Sequence, residues 1–230
     1  NDFKKFSVNE GLIKAESEQG ICKVVCFSPD HSKSLAQMEV KDINKVVEVW
    51  KKGYLSLKQF EHINYVQIFE NKGAIMGCSN PHPHGQIWSQ TALPNEVIKK
   101  DLQQLNYFQE HHTSLLLDYL KQELKLKERI VFENKAFVIL VPFWAIWPFE
   151  TMIISKKHYQ NISQLSESEK ESFANIYKNL TILYDNLFEI SFPYSAGLHQ
   201  APTDGKEHKE WHLHMHFYPP LLRSATVKKF

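Results

Sequence analysis

Disulfide chemistry has little material here: the 230 residues hold three cysteines, Cys22, Cys26 and Cys78. A small secreted scaffold would carry more, in pairs, so the count fits a reducing compartment, and a cytoplasmic location is expected. An excess of one charge is also lacking. Lys and Arg number 27 against 26 Asp and Glu, a net +1, which provides no global field to draw the chain to nucleic acid or to an anionic membrane. Apolar runs are short and broken by charge, so no transmembrane helix is expected. The first residues show no charged segment followed by an apolar one, so no signal peptide is expected. The chain starts at Asn1 without an initiator Met and reads as a piece of a longer protein. With 8 glycines, 43% hydrophobic and 23% charged residues, it is neither collagenous nor low-complexity. Its length allows one large domain or two small ones with an adequate core.

What the chain does have is 12 histidines, unevenly placed. His82 and His84 stand together, and His212, His214 and His216 alternate within five residues. Imidazole titrates near neutrality, binds metals and can act as a nucleophile.

Local patterns give a coarse plan. Ile21–Ser28 is β-branched and reads as a strand. Ile43, Val46, Val47, Trp50 and Tyr54 form the stripe of an amphipathic helix. Ile63–Phe69 reads as a strand, Asn71–Pro83 as a loop and Gly85–Trp88 as a strand leaving it. Pro94 to about Lys125 reads as a long helix, interrupted near His111-His112. Residues 130–132 and 136–141 form a hairpin around Asn134. After a strand at Thr151–Lys156, Ser166 and Glu169 make a capping box opening a helix. Ile190–Tyr194 and Trp211–Tyr218 are the last strands. The irregular alternation points to an α+β fold with a largely antiparallel sheet.

The plan repeats. A strand, a histidine (His31 or His158), a helix, a strand and a His-x-His pair (His82/His84 or His212/His214) occur twice. The lone histidine precedes the pair by 51 residues in one copy and 54 in the other. The expected units are 1–125 and 126–230.

Asn80-Pro-His-Pro-His-Gly-Gln-Ile-Trp88 is the most informative stretch. Two prolines stiffen the backbone around His82. In an extended segment His82, His84 and Gln86 share a face, a plausible phosphate-handling arrangement; a stiff loop with incidental histidines is the bland alternative. In the second run, three rings would face one way while Leu213, Met215 and Phe217 face the core. Same-face neighbours about 6.6 Å apart could share one metal, with His199 joining from a neighbouring strand. Cys22 and Cys26, about 13 Å apart on a strand, cannot share one zinc and are expected in the core. His62, His111, His112 and His208 are expected at the surface.

These segments, with Cys26–Lys33, Phe69–Gly73, Gly77–Trp88, Trp147–Glu150, Phe192–Tyr194 and His216–Thr226, resemble the galactose-1-phosphate uridylyltransferase family of the histidine-triad superfamily. The resemblance covers nearly the whole chain and implies two fused triad-like units. It implies ping-pong transfer of UMP from UDP-glucose to galactose-1-phosphate through a covalent uridylyl-His84, releasing glucose-1-phosphate and then UDP-galactose. It implies that Gln86 binds the uridylyl phosphate. Asn1, Asp2 and Phe3 would hold uridine; Asn71, Gly77, Cys78 and Ser79 would line the nucleotide phosphates; Lys229 and Phe230 would contact the sugar phosphate. His31 and His82 would be zinc ligands completed by two cysteines upstream of Asn1. His199, His214 and His216 would belong to a second metal site, described with iron or a second zinc and completed by a glutamate. Here that glutamate falls at Lys100, and Asp101 beside it would point elsewhere on a helix. The family is a homodimer. Two other readings compete: a histidine-triad nucleotide hydrolase using His214, and a non-catalytic metal-binding module on His199, His214 and His216.

Overall fold

The computed structural model describes residues 5–8, 11–78 and 80–220. Its strands are β1 (Lys5–Val8), β2 (Ile13–Glu16), β3 (Gly20–Cys26), β4 (Tyr65–Lys72), β5 (His84–Gln90), β6 (Ile130–Glu133), β7 (Phe137–Leu140), β8 (Thr151–Ser155), β9 (Tyr194–His199) and β10 (His214–Tyr218). The helices are α1 (Val40–Leu57), α2 (Asn95–His111), α3 (Leu115–Leu126) and α4 (Glu167–Phe188).

Eight strands form one sheet in the order β3-β5-β4-β9-β10-β8-β7-β6, and every described pair in it is antiparallel. The fold is therefore α+β, as expected. The apolar stripe of α1 and one face of α4 pack on one side of the sheet, burying Trp50, Tyr177, Ile87, Met215 and Phe217 in the main core. On the other side α3 places Leu116 and Leu120 over Val138, Leu140, Met152 and Ile154. That second layer covers the β7-β8 end, while Val24 and Trp88 at the β3-β5 end of the same face are exposed.

The duplication is visible in the sheet. β3-α1-β4-β5 has its strands in the order first-third-second, and β8-α4-β9-β10 repeats it; the two copies join at the β4–β9 pair. Even a short 3₁₀ turn recurs before each helix, at Leu35–Gln37 and Ile162–Gln164.

Caps account for several boundaries. Ser166 and Glu169 form the expected capping box of α4, which satisfies otherwise orphaned N–H groups. The 94–125 segment is two helices. His112 takes a left-handed conformation (φ 56°) that ends α2, and Ser114 starts α3. At the β6–β7 hairpin, Asn134 Oδ1 accepts from the Ala136 and Phe137 amides.

Three expectations are corrected. The strand expected at Ile190–Tyr194 runs instead from Tyr194 to His199; Phe192 is buried in the main core, and its amide is held by Asp185 Oδ1. The last strand begins at His214, not Trp211. Cys22 and Cys26 are exposed rather than in the core. On β3 it is Ile21 and Val25 that turn toward the main core, and the alternation of a strand then sends both cysteines to the open face. The β1–β2 hairpin had no counterpart in the sequence reading.

Candidate functional site

Cross-strand pairing places one row of side chains on the face opposite α1 and α4. Val24 pairs with Gln86, Gln86 with Phe69, Phe69 with Gly197, Gly197 with His216 and His216 with Met152. Paired residues point to the same side of a sheet. Both histidine clusters thus lie on one face, Gln86 and His216 being three strands or roughly 14 Å apart.

The first cluster is built by the proline-stiffened loop entering β5. The Phe27 amide donates to Pro83 O at 2.9 Å, and the His82 amide donates to Asn80 Oδ1 at 3.0 Å. His84 Nδ1 lies 2.7 Å from the carbonyl of His82. A carbonyl only accepts, so the proton is on Nδ1 and the Nε2 lone pair is free. Gly85 has no room for a side chain: a Cβ would sit 2.9 Å from the Phe27 ring and 3.0 Å from Phe69 O. Trp88 Nε1 donates to Gln86 Oε1 at 2.9 Å. That fixes the amide and leaves its two N–H donors available.

Beside this loop a cleft of about 960 Å³ is lined by Lys33, Glu70, Asn71, Cys78, His31 and His82, among others. Asn71 Oδ1 accepts from Ser195 Oγ at 2.6 Å, and Cys78 Sγ contacts Asn80 O at 3.0 Å. Gly77 adopts φ 82°, which a residue with a Cβ resists. Asn1, Asp2, Phe3, Ser79, Lys229 and Phe230 lie outside the described residues.

His31 and His82 meet as a pair, their Nδ1 atoms 2.7 Å apart. Two ring nitrogens aimed at each other suit a shared proton or a shared cation. They are two donors where a tetrahedral zinc takes four. Among the described residues no further His, Cys, Asp or Glu joins them in a converging group. The second copy repeats the arrangement. His158 stacks on His212 with centroids 5.5 Å apart, and His214 Nδ1 lies 2.7 Å from His212 O, as His84 does from His82 O. His212 does not join His214 and His216; its Nε2 donates to Ser155 O at 2.7 Å, tying β8 to the start of β10.

The rings of His199, His214 and His216 do cluster. Their ring centroids are 5.0–5.2 Å apart. His214 and His216 are buried and His199 is half-buried, beside Lys100 of α2. Burial is the main influence holding all three below the usual imidazole range, and Lys100 lowers them further. Lys100 reaches in from α2 and donates from Nζ to His199 Nδ1 at 3.2 Å. Burial lowers its ammonium to about 8, against the pull of Glu96 and Glu150. Glu150, from the loop before β8, sits with Oε1 3.6 Å from His216 Nδ1. It was not among the sequence candidates, and only the Trp147–Glu150 segment pointed toward it. A cation already among the rings, and no carboxylate at position 100, do not fit a second metal ion.

Asp101 points away from Lys100, as expected. Its Oδ1 accepts from Trp211 Nε1 at 2.5 Å and lies 3.4 Å from His208 Nδ1. His208 was expected at the surface but is 7% exposed. Its Nδ1 and Nε2 donate to Glu210 (3.0 Å) and Asp204 (2.8 Å). Burial pushes this imidazole down, but the carboxylates outweigh it and hold its pKa above the ordinary value. A histidine two residues from a glutamate in a polar loop carries no sequence sign of burial. The long contact to Asp101 decides it.

His84, oriented by the His82 carbonyl, thus stands at the head of β5 in a duplicated antiparallel sheet. Two family models match the chain, and they meet between β5 and α2, ahead of the 125/126 boundary expected from the sequence. Residues 1–94 match the galactose-1-phosphate uridyl transferase N-terminal domain and residues 99–230 its C-terminal domain. The chain is 51% identical to the galactose-1-phosphate uridylyltransferase of Haemophilus influenzae, over 96% of this chain and 63% of that protein. It is 49% identical to the Saccharomyces cerevisiae protein of the same name, over 100% of this chain and 65% of the relative. A solved uridylyltransferase structure superposes with a TM-score of 0.86 at 26% identity, covering 94% of this chain and 68% of that one. The chain belongs to the galactose-1-phosphate uridylyltransferase family, and it spans just under two thirds of the length of those two curated relatives.

Proposed function

We propose that this chain is the nucleophile-bearing part of a nucleotidyltransferase that moves UMP between UDP-glucose and galactose-1-phosphate. The observation that carries the reading is the 2.7 Å contact of His84 Nδ1 to the His82 carbonyl, which leaves Nε2 free for in-line attack. Nε2 forms a bond to the α-phosphorus, the bond from that phosphorus to the bridging oxygen breaks, and glucose-1-phosphate departs with the electron pair. A phosphate oxygen of galactose-1-phosphate then attacks the same phosphorus. UDP-galactose leaves and His84 regains its lone pair. One displacement becomes two easier ones. The free N–H donors of Gln86 are suited to a phosphoryl oxygen, yet an amide cannot protonate a leaving group.

In this reading His31 and His82 are two ligands of a zinc set. When bound, zinc would brace the loop that presents His84. Residues 1–3 hold uridine, Asn71, Gly77, Cys78 and Ser79 line the phosphates, and Lys229 and Phe230 meet the sugar phosphate. The chain works as two units, 1–125 and 126–230, in a cytoplasmic homodimer. No described helix is long and apolar enough to cross a membrane, and the three cysteines are free.

Hydrolysis through His214 is disfavoured because that ring is 4% exposed, beside Lys100 of α2. The test is intact mass after incubation with UDP-glucose. A uridylyl adduct on His84 that disappears on adding galactose-1-phosphate is the expected result. No adduct, or one that survives His84→Ala and is lost in His214→Ala, would overturn the reading.

A further inference from the structure

We propose that the ammonium of Lys100 takes the place of a metal ion among His199, His214 and His216, so that this chain organises its second histidine cluster with an internal cation and binds no divalent metal there. The inference is independent of the reaction assigned to His84.

Three clustered imidazoles, with mutual centroid distances of 5.0–5.2 Å and with His214 and His216 buried, hold lone pairs that need a hydrogen-bond donor. His214 spends its Nδ1 on the His212 carbonyl at 2.7 Å, which directs the lone pair of Nε2 elsewhere. His199 Nδ1 is an acceptor, because the group 3.2 Å from it is the Lys100 ammonium, which can only donate. The α2 helix supplies this cation from a position next to Asp101. Asp101 is committed in the opposite direction, to Trp211 Nε1 at 2.5 Å. No carboxylate from α2 therefore reaches the rings. The one that does, Glu150, comes from the loop before β8. It stands 3.6 Å from His216 Nδ1, an atom buried without a hydrogen-bond partner. Glu150 is placed to balance one positive charge. A divalent ion held by the same rings would meet the ammonium at close range and be repelled. With Lys100 in place the three rings do not gather their ligand atoms on one point. Among the described residues the one converging group of ligand atoms is Asp101, His208 and Glu210, and His208 there already donates from both nitrogens to carboxylates.

Cobalt(II) titration followed by visible absorption tests this, in a His31→Ala background that removes the other histidine pair. The expected spectrum of that protein is the same with and without His214→Ala, because no cobalt is held by the cluster. Lys100→Glu and Lys100→Ala, each checked for folding by circular dichroism, should gain one equivalent of cobalt with ligand-field bands that vanish on adding His214→Ala. Cobalt bands in the Lys100-containing protein that are lost on His214→Ala would overturn the proposal, whether or not the Lys100 variants fold. So would folded Lys100 variants that gain none.

Discussion

Glu70 offers a sharp test of the energetics beneath the site. It is 4% exposed on β4, on the core side of the sheet under the row that carries Gln86. Its Oε2 accepts from the hydroxyls of Tyr177 and Tyr194. Lys72 is committed to Asp185 at 3.0 Å. Burial therefore dominates and lifts the Glu70 carboxyl to about 7 from 4.5, against the pull of the tyrosines, Lys72 and His84. The folded chain holds this proton more tightly than the unfolded one, so between pH 4.5 and 7 the unfolded state binds fewer protons and stability falls as pH rises. Below 4.5 both states are protonated and above 7 both are ionised, so the contribution is flat outside the window. At 1.36 kcal/mol per pH unit, the loss across the window is about 3 kcal/mol. We predict that Glu70→Gln, whose amide oxygen can accept both tyrosine hydroxyls, removes this slope. Urea unfolding of the two proteins at a series of pH values gives a difference curve in which every other titrating group cancels. The variant should gain about 3 kcal/mol on the native protein between pH 4.5 and 7.5. A difference curve flat with pH would refute a buried, proton-holding Glu70.

Other outcomes follow from the same geometry. Gln86→His places a proton donor where an amide stood, and since a positioned general acid contributes roughly a hundredfold or more, UDP-glucose hydrolysis should rise at least about tenfold; an unchanged rate of UMP release would refute the role given to the amide. Gly85→Ala forces a Cβ to 2.9 Å from Phe27 and 3.0 Å from Phe69 O, so it should cost about 1–3 kcal/mol and slow uridylylation of His84; a native melting temperature would show that the strands yield freely. His208→Ala leaves Asp101, Asp204 and Glu210 facing one another without their imidazolium. Removing one partner of a buried ion pair costs up to about 5 kcal/mol, and the partial exposure of Asp101 and Asp204 reduces this to about 2–3 kcal/mol. The raised pKa of His208 makes the native advantage largest below about pH 6.5, the unfolded value, and it fades as pH rises through the folded value. An advantage that grew with pH would count against the charged form.

The sequence by itself determined the local elements and the family resemblance. The stripe of α1, the Ser166–Glu169 box and the Asn134 turn are short-range features, set by periods and caps that need no distant partner. The duplication was legible for the same reason: His31 and His158, with their His-x-His pairs, keep their order along the chain. The loop around His82 and His84 could be read because two prolines restrict it locally. What only the tertiary structure decided depends on which distant strand or helix arrives. Alternation on β3 allows either set of side chains to face inward, and the position of α1 chose Ile21 and Val25, leaving Cys22 and Cys26 outside. Phe192 is drawn into the core by its stacking on Tyr184 and Phe188, which delays β9 to Tyr194. His208 is buried because Asp101 comes to it from α2, more than a hundred residues earlier in the chain. Lys100 carries the same lesson. Spacing could show a lysine where the resemblance implies a glutamate. Only the docking of α2 against Tyr65, Ala201 and Trp211 could bring its ammonium to His199, because those contacts are made by segments that share no local pattern.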